Sequence, residues 1–600
     1  MKSLKFLNAY LLRYKTRLLL GVVFVTVSNI FAIYPAEILR KGIDMVHHGI
    51  QVYYQFKGAS LESDLISGFF TLLLILGLAV ICTALLKGLF MFFMRQTIIV
   101  MSRLVEYDLK NDIFAQYQRL DYAFYKRNKT GDLMARIGED VSQVRMYVGP
   151  AIMYAISTVT LFFLVLGRMV SVEPELTLYV LSPLPILALA IYLVNSTVIK
   201  KSERVQQQLS VISSRVQESL SGIRVLKAYS KEQYYAKVFG TETEEYKNRN
   251  LRLVQISALF QPLIVVLIGL STLITVYVGG LKVQTGEISA GIIGEFILYV
   301  NMLTWPVASI GWVTSIVQRA AASQVRINEF MEQKPGVVND STEPFTLEGK
   351  IQFKEVFFRY PESGIEALHD ISFTLEKGKS LAFVGRTGSG KSTIAALVTR
   401  LYDVDQGEIL IDGKSLQNIN LDHYRSSLSY VPQDVFLFSD TIKANISFGF
   451  HPSQVPQNEM PLIEQAATDA AVLEHIEAFP EKFETRIGER GVTLSGGQKQ
   501  RISIARALVR NPQLLIFDDC LSAVDTATEE IILNHLKQKM GGKTCIFIAH
   551  RISTIKHCDE IIVLENGRIA ENGSHQELIA KEGIYASMYR KQLLEEKASI

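Results

Sequence analysis

The chain has 600 residues, of which 48% are apolar and 20% charged, and its formal net charge is +3. That length exceeds one hydrophobic core, so at least two domains are expected. A positive mean hydropathy leans toward a membrane protein, and so small a net charge gives no indication of nucleic acid as a partner. Cys82, Cys520, Cys545 and Cys558 show neither paired nor metal-ligand spacing and read as structural thiols of a reducing compartment.

Nearly all long apolar runs fall before residue 320. The opening stretch Leu4–Tyr14 is apolar with basic punctuation, which suits a short helix along a bilayer interface. Lys2, Lys5, Arg13, Lys15 and Arg17 resemble a basic leader, but no small-residue cleavage site follows, so the first run is expected to be retained. A hydrocarbon core about 30 Å thick needs roughly 20 mostly apolar helical residues. Six candidates begin near Leu18–Pro35, Leu65–Leu86, Ala151–Leu166, Leu176–Val194, Ile256–Val278 and Ala290–Val317. Pro35, Pro150, Pro185, Pro262 and Pro306 are tolerable there, because neighbouring helices can satisfy the freed carbonyls. The apolar cores hold few ionisable groups, so a molecule meeting them would meet an apolar surface.

Basic residues set the orientation. The connector from Arg95 to Tyr147 carries Arg103, Lys110, Arg119, Lys126, Arg127, Lys129, Arg136 and Arg145, and the one after the fourth span carries Lys200, Lys201, Arg204, Arg215, Arg224, Lys227 and Lys231. Val172–Glu175 and Gly279–Glu287 are short and contain only Lys282. The amino terminus, both long connectors and the second half are therefore expected in the cytoplasm. The connectors keep a helical pattern, as in Gln206–Leu226, which predicts membrane helices that continue far beyond the bilayer. Met331–Lys350, polar and containing Pro335, Gly336 and Pro344, reads as a linker.

After residue 350 the signals change. Leu381–Thr393 reads LAFVGRTGSGKST, an apolar strand running into Gly385, Arg386, Thr387, Gly388, Ser389, Gly390, Lys391, Ser392 and Thr393. This is the P-loop pattern: glycines let backbone N–H groups wrap phosphates, and the following helix aims its positive end at them. Lys391 is expected to neutralise the β- and γ-phosphates of ATP, and the Ser392 hydroxyl to ligate Mg2+. A second apolar strand, Leu514–Phe517, ends in Asp518 and Asp519. Asp518 suits Mg2+ binding, and Asp519 suits positioning of the attacking water or acceptance of its proton.

Between these elements lies Leu494-Ser495-Gly496-Gly497-Gln498. With this LSGGQ sequence the chain as a whole resembles the ATP-binding cassette exporters, in which six membrane helices precede the cassette. Phe124–Val144 and Gln217–Ser230 resemble that family's two cytoplasmic loops with their coupling helices. The resemblance implies that Tyr360 stacks on adenine and that Gln433 senses Mg2+ and contacts the membrane domain. It places Glu489 beside the coupling helices and Asp525 in the loop joining two sites. His550 would hold the γ-phosphate and water. Leu494 to Gln498, Ser495 and Gly497 foremost, would reach the ATP of an opposite subunit, so a second half-transporter is required. Family members competent for fast hydrolysis usually carry Glu where this chain has Asp519, which implies slow turnover at its own site and favours a heterodimer over a homodimer.

The expected fold is a six-helix all-α transmembrane domain over residues 1–330, a linker over 331–350, and an α/β P-loop cassette over 351–590. The expected function is ATP-driven export or flipping of a drug or lipid across a bacterial inner or plasma membrane. An ATP-gated channel is a second class, and a repair or translation cassette is excluded by the six spans.

Overall fold

A computed structural model describes residues 3–58, 62–451, 455–488, 494–522, 524, 526–539 and 541–598. It divides into two compact units: Met1–Gln118 with Gly131–Gln333, and Arg119–Thr130 with Lys334–Ile600.

Among the described residues the first unit contains six helices long and apolar enough to cross a membrane: Lys15–Gln55, Ser63–Arg119, Thr130–Val172, Pro174–Ser221, Glu232–Gln284 and Ala290–Met331. They run 41 to 57 residues. At 1.5 Å per residue the longest is about 85 Å, far more than a bilayer core requires. The surplus is polar helix. Leu184–Ser221 and Glu232–Ser257 form an antiparallel hairpin closed by the short helix Ile223–Ala228. Gln208 Nε2 donates to Glu242 at 2.6 Å and Arg249 donates to the Arg204 carbonyl at 3.2 Å. Same-face pairs such as Arg215–Glu218 and Arg249–Glu245 support the exposed sides.

The prolines take three kinds of place, with Pro185 and Pro262 in the first turns of Leu184–Ser221 and Phe260–Gln284. Pro35 and Pro306 lie inside continuous helices, and Pro150 falls in a π-type turn, Tyr147–Ala151, where the lost N–H is absorbed by wider winding. The opening segment is a 3-10 turn, Ser3–Leu7, followed by the helix Asn8–Arg13. It buries Leu4, Leu7 and Tyr10 against protein and leaves Phe6 and Leu12 exposed. Tyr10 donates to Asp112 and Arg13 pairs with Asp108 at 2.8 Å.

Ionisable groups are more numerous at the span ends than the apolar windows suggest. Glu295 is fully buried, pairs with Arg40 at 3.0 Å and accepts from the Tyr299 hydroxyl at 2.7 Å. Glu37 bridges Arg168 at 2.7 Å and Lys41 at 3.1 Å. Each charge is compensated, which is the condition for keeping it out of water.

Among the described residues the second unit has two sheets. A four-stranded antiparallel sheet runs β2-β1-β4-β5, built from β1 (Ile351–Arg359), β2 (Glu366–Leu375), β4 (Gln406–Ile411) and β5 (Lys414–Ser415). A six-stranded sheet runs β10-β9-β3-β8-β7-β6, from β3 (Ser380–Gly385), β6 (Leu428–Val431), β7 (Leu514–Asp518), β8 (Thr544–Ile548), β9 (Glu560–Glu565) and β10 (Arg568–Gly573). All its pairings are parallel except β9 with β10. Side chains on β3, β7 and β8 alternate between two buried clusters: Ala382, Leu515 and Phe517 face one, and Leu381, Leu514 and Ile516 the other. Burial on both faces is why these strands read as unbroken apolar runs. Helices cover both faces, so ligand-binding residues collect where the parallel strands end.

Residues 119–130 belong to this unit. Asp121 caps the helix Tyr122–Arg127 by accepting from Phe124 N–H at 2.9 Å, and it also accepts from Gly336 N–H. Ala123 joins the cluster containing Phe358 and Tyr402, and the Tyr122 ring meets Tyr402 edge-on at 5.8 Å.

Candidate nucleotide site

The carboxyl ends of β3, β8 and β7 are neighbours, with Phe383 opposite Ile548 and Ile548 opposite Asp518. Three of the expected motifs follow directly from those ends. The P-loop leaves β3 at Gly385, whose φ is +155° and where a Cβ would stand 2.2 Å from the Leu564 carbonyl oxygen. Gly390, at φ +100°, caps the helix Lys391–Val398, and a Cβ there would lie 2.7 Å from the Ala367 carbonyl oxygen. No other residue fits either position without moving backbone.

Lys391 is buried, and its ammonium donates to the Gly385 and Arg386 carbonyls at 2.9 Å each. Burial lowers its pKa, offset in part by Asp519 and Asp518. The Ser389 hydroxyl is buried with no hydrogen-bond partner among the described residues. A buried cation held only by carbonyls, an unpartnered donor and a helix amino terminus together fit a polyphosphate. Arg386, Thr387 and Gly388 line the exposed rim of the same loop. Tyr360, just past β1, places its hydroxyl 2.9 Å from Thr393 Oγ1 and packs edge-on against Phe358 and Tyr402. Its ring is thereby fixed beside the P-loop helix.

Asp518 closes β7. Its Oδ1 accepts from the Ser392 hydroxyl at 2.9 Å and its Oδ2 from the Tyr430 hydroxyl at 3.2 Å. Burial raises its pKa, the two hydroxyls counteract this, Asp519 raises it further, and Lys391 lowers it. Adjacent hydroxyl and carboxylate oxygens form a hard donor set that suits Mg2+. Asp519 sits at φ +46°, a conformation Asp tolerates better than most residues, with its N–H donating to the Ile548 carbonyl at 2.8 Å. Gln433, two residues past β6, reaches Asp519 Oδ2 from Nε2 at 3.3 Å. His550 follows β8 and is half-buried.

The signature forms a separate element. Leu494 is buried, and Ser495 caps the helix Gly496–Leu508 in a reciprocal box: Gln498 N–H donates to its Oγ at 3.2 Å and its own N–H to Gln498 Oε1 at 3.0 Å. Among the described residues the hydrogen bonds of Ser495 and Gln498 stay within this helix start, and Gly497 accepts from Arg501. The structure thus brings Tyr360, the P-loop, Gln433, Asp518 and Asp519 together, but leaves Leu494 to Gln498 without a bond to that cluster. Glu489 and Asp525 lie outside the described residues. Tyr430 is a site residue that motif reading misses, because nothing local distinguishes it from an ordinary strand aromatic.

Comparison with known proteins gives the family and the fold. The family described as ABC transporter transmembrane region matches residues 18–307, and the family described as ABC transporter matches residues 368–522. The chain is similar to the probable multidrug resistance ABC transporter ATP-binding/permease protein YheI of Bacillus subtilis, at 36% identity over 98% of this chain and 97% of that one. It is 38% identical to the multidrug resistance-like ATP-binding protein MdlA of Escherichia coli, over 81% and 82% of the two chains. An ATP-dependent lipid A-core flippase of Aromatoleum aromaticum is 35% identical over 82% and 81%. Among solved structures, a bacterial Atm1-family ABC exporter with ATP bound aligns with a TM-score of 0.76 at 26% identity, covering 98% of this chain and 99% of the other. The chain belongs to the ATP-binding cassette transporters, as an integral membrane ATPase of the exporter type that fuses its membrane helices to one cassette and uses ATP to drive export across a membrane.

Proposed function

We propose that this chain is one half of a dimeric exporter that moves a hydrophobic or amphipathic molecule, a drug or a lipid, across a bacterial inner or plasma membrane. The observation that carries the reading is the convergence of Lys391, Ser392, Asp518, Asp519 and Gln433 at parallel strand ends, in a chain with six helices of spanning length. Relatives named for multidrug resistance and for lipid A flipping support the cargo class. The division of labour is a transmembrane domain over 1–330, a linker over 331–350 and a cassette over 351–590, with the amino terminus and cassette in the cytoplasm.

Within the site, Tyr360 stacks on adenine and the loop Gly385–Thr393 holds the phosphates. Ser392, Asp518 and Gln433 would hold Mg2+, which would supply charge neutralisation at the phosphates. Asp519 positions the attacking water or takes its proton, and His550 holds the γ-phosphate. Ser495 and Gly497, within Leu494–Gln498, reach the nucleotide of the opposite subunit, while Glu489 and Asp525 carry signals to the coupling helices and across the dimer. Closure of two cassettes on ATP shifts the membrane helices between inward- and outward-open states, a population shift set by the preference of ATP for the closed form. Asp519 makes this chain's own site the slower one and favours a heterodimer.

Cysteines at Ser495 and Ser389 in a Cys-free background test the sandwich. Crosslinked homodimer from the chain alone means that two copies suffice. Crosslinking only with a co-expressed half-transporter carrying the matching cysteine means a heterodimer. Full ATPase activity with no crosslink in either case would overturn the arrangement.

A further inference from the structure

We infer that Gln592, on the carboxy-terminal helix, is a positioning residue for His550. Its side chain clamps the backbone immediately after that histidine, on either side of Arg551: Nε2 donates to the His550 carbonyl at 2.6 Å, and Oε1 accepts from Ile552 N–H at 2.8 Å. One amide thus fixes the two consecutive peptide groups that follow His550, and it does so from an element outside the nucleotide-binding sheet.

The clamp is held rigidly. The helix Ile584–Ala598 starts with its Ile584 and Tyr585 N–H groups donating to Glu571, at 2.6 and 3.1 Å. Tyr585 is fully buried, and its hydroxyl lies 2.7 Å from His575 Nδ1. Tyr585, Met588, Tyr589 and Gln592 follow the one-face spacing of a helix, and the first three pack on the cluster that also contains Phe547, Ala549 and Ile552. Gln592 is the polar end of that apolar face, aimed at the backbone where β8 leaves the core.

The far side of the loop is anchored too. Arg551 pairs with Glu529 at 2.9 Å, and Glu529 is 2% exposed and also accepts from the Thr554 hydroxyl. Arg551 further reaches the Ser522 and Val524 carbonyls at 3.4 Å. With the Arg551 side chain anchored on that side, Gln592 holds the carbonyl of the residue that carries the imidazole. The peptide's orientation decides where the ring stands, and misplacement of about 1 Å costs about a hundredfold in rate.

This proposal rests on the reading of His550 as the γ-phosphate switch, and the test separates the two. The full-length chain in nanodiscs with Mg-ATP, with its partner half if one is needed, is compared as wild type, Gln592→Met, Gln592→Glu, His550→Ala and His550→Ala/Gln592→Met. Gln592→Met removes both bonds at nearly constant volume and should lower kcat about tenfold with KM for ATP and thermal unfolding unchanged. Gln592→Glu keeps the acceptor for Ile552 N–H and loses the donor, so it should fall between. Amide exchange at Ile552, measured without nucleotide, should accelerate in Gln592→Met and stay slow in Gln592→Glu. In the His550→Ala background Gln592→Met should add nothing to the loss, because the clamp acts only through His550. An inactive His550→Ala with unchanged kcat in Gln592→Met, or an equal loss in both backgrounds, overturns the proposal alone. Full activity in His550→Ala removes the switch reading and the proposal with it.

Discussion

Replacing Asp519 by Glu advances the carboxylate by one methylene, about 1.5 Å, toward the space beyond the strand ends. In the structure Gln433 Nε2 lies 3.3 Å from Asp519 Oδ2, longer than a strong amide–carboxylate bond, so the shorter side chain is held loosely. Correct placement of a reacting group to within about 1 Å is worth about a hundredfold in rate. Against that gain stands the backbone: residue 519 sits at φ +46°, which Glu tolerates less well than Asp, at an added cost of about 1 kcal/mol. One kcal/mol is about a fivefold penalty if it falls wholly on the active geometry. The gain wins, and kcat should rise about twentyfold. The assay is phosphate release from the chain in nanodiscs, alone and with a co-expressed half-transporter, as a function of ATP concentration. KM should not move, since Asp519 touches neither base nor phosphate-binding loop. An unchanged or lower kcat in a folded Asp519→Glu protein would refute the idea that arm length limits this site.

Tyr360→Ala should raise KM for ATP several-fold with little change in kcat, because an aromatic face contributes binding rather than chemistry; initial rates across ATP concentrations check it. Arg40→Ala leaves the fully buried Glu295 without its 3.0 Å ion-pair partner and should cost about 3–5 kcal/mol of stability, read as a lower unfolding temperature in detergent. Single cysteines at Gly279 or Gln284 should react with an impermeant thiol reagent outside intact cells, and those at Asn128 or Ser230 only after the membrane is opened. The reverse pattern would overturn the orientation.

The membrane spans were legible because each needs about 20 apolar residues in a row, a signal that survives without knowledge of neighbours. Their continuation past the bilayer was legible too, in the helical pattern of Gln206–Leu226, but their exact ends and partners were not. Residues 200–250 are held as helices by pairs such as Gln208–Glu242 across the hairpin, and such contacts join positions far apart in sequence. The pairing of Glu295 with Arg40 is hidden for the same reason, since each looks like an isolated charge at a span end. In the cassette the P-loop and the Asp518-Asp519 pair were readable because their chemistry sits on contiguous residues after apolar strands. Tyr430, which bonds Asp518, and Gln592, which bonds the His550 carbonyl, act from other elements and carry no local mark. Tyr122 was placed in a cytoplasmic loop by its charges, but its packing on Tyr402 emerges only from the fold.

The central claim is that ATP turnover at the strand ends drives net movement across the membrane. Its most direct measurement is accumulation of a fluorescent amphipathic drug or labelled lipid by inside-out vesicles containing the full transporter, started without a gradient. Uptake against the gradient that forms should require Mg-ATP and vanish in Lys391→Ala, which removes the buried ammonium of the P-loop. Flux that only equalises the two sides, or accumulation that survives Lys391→Ala, would contradict the account.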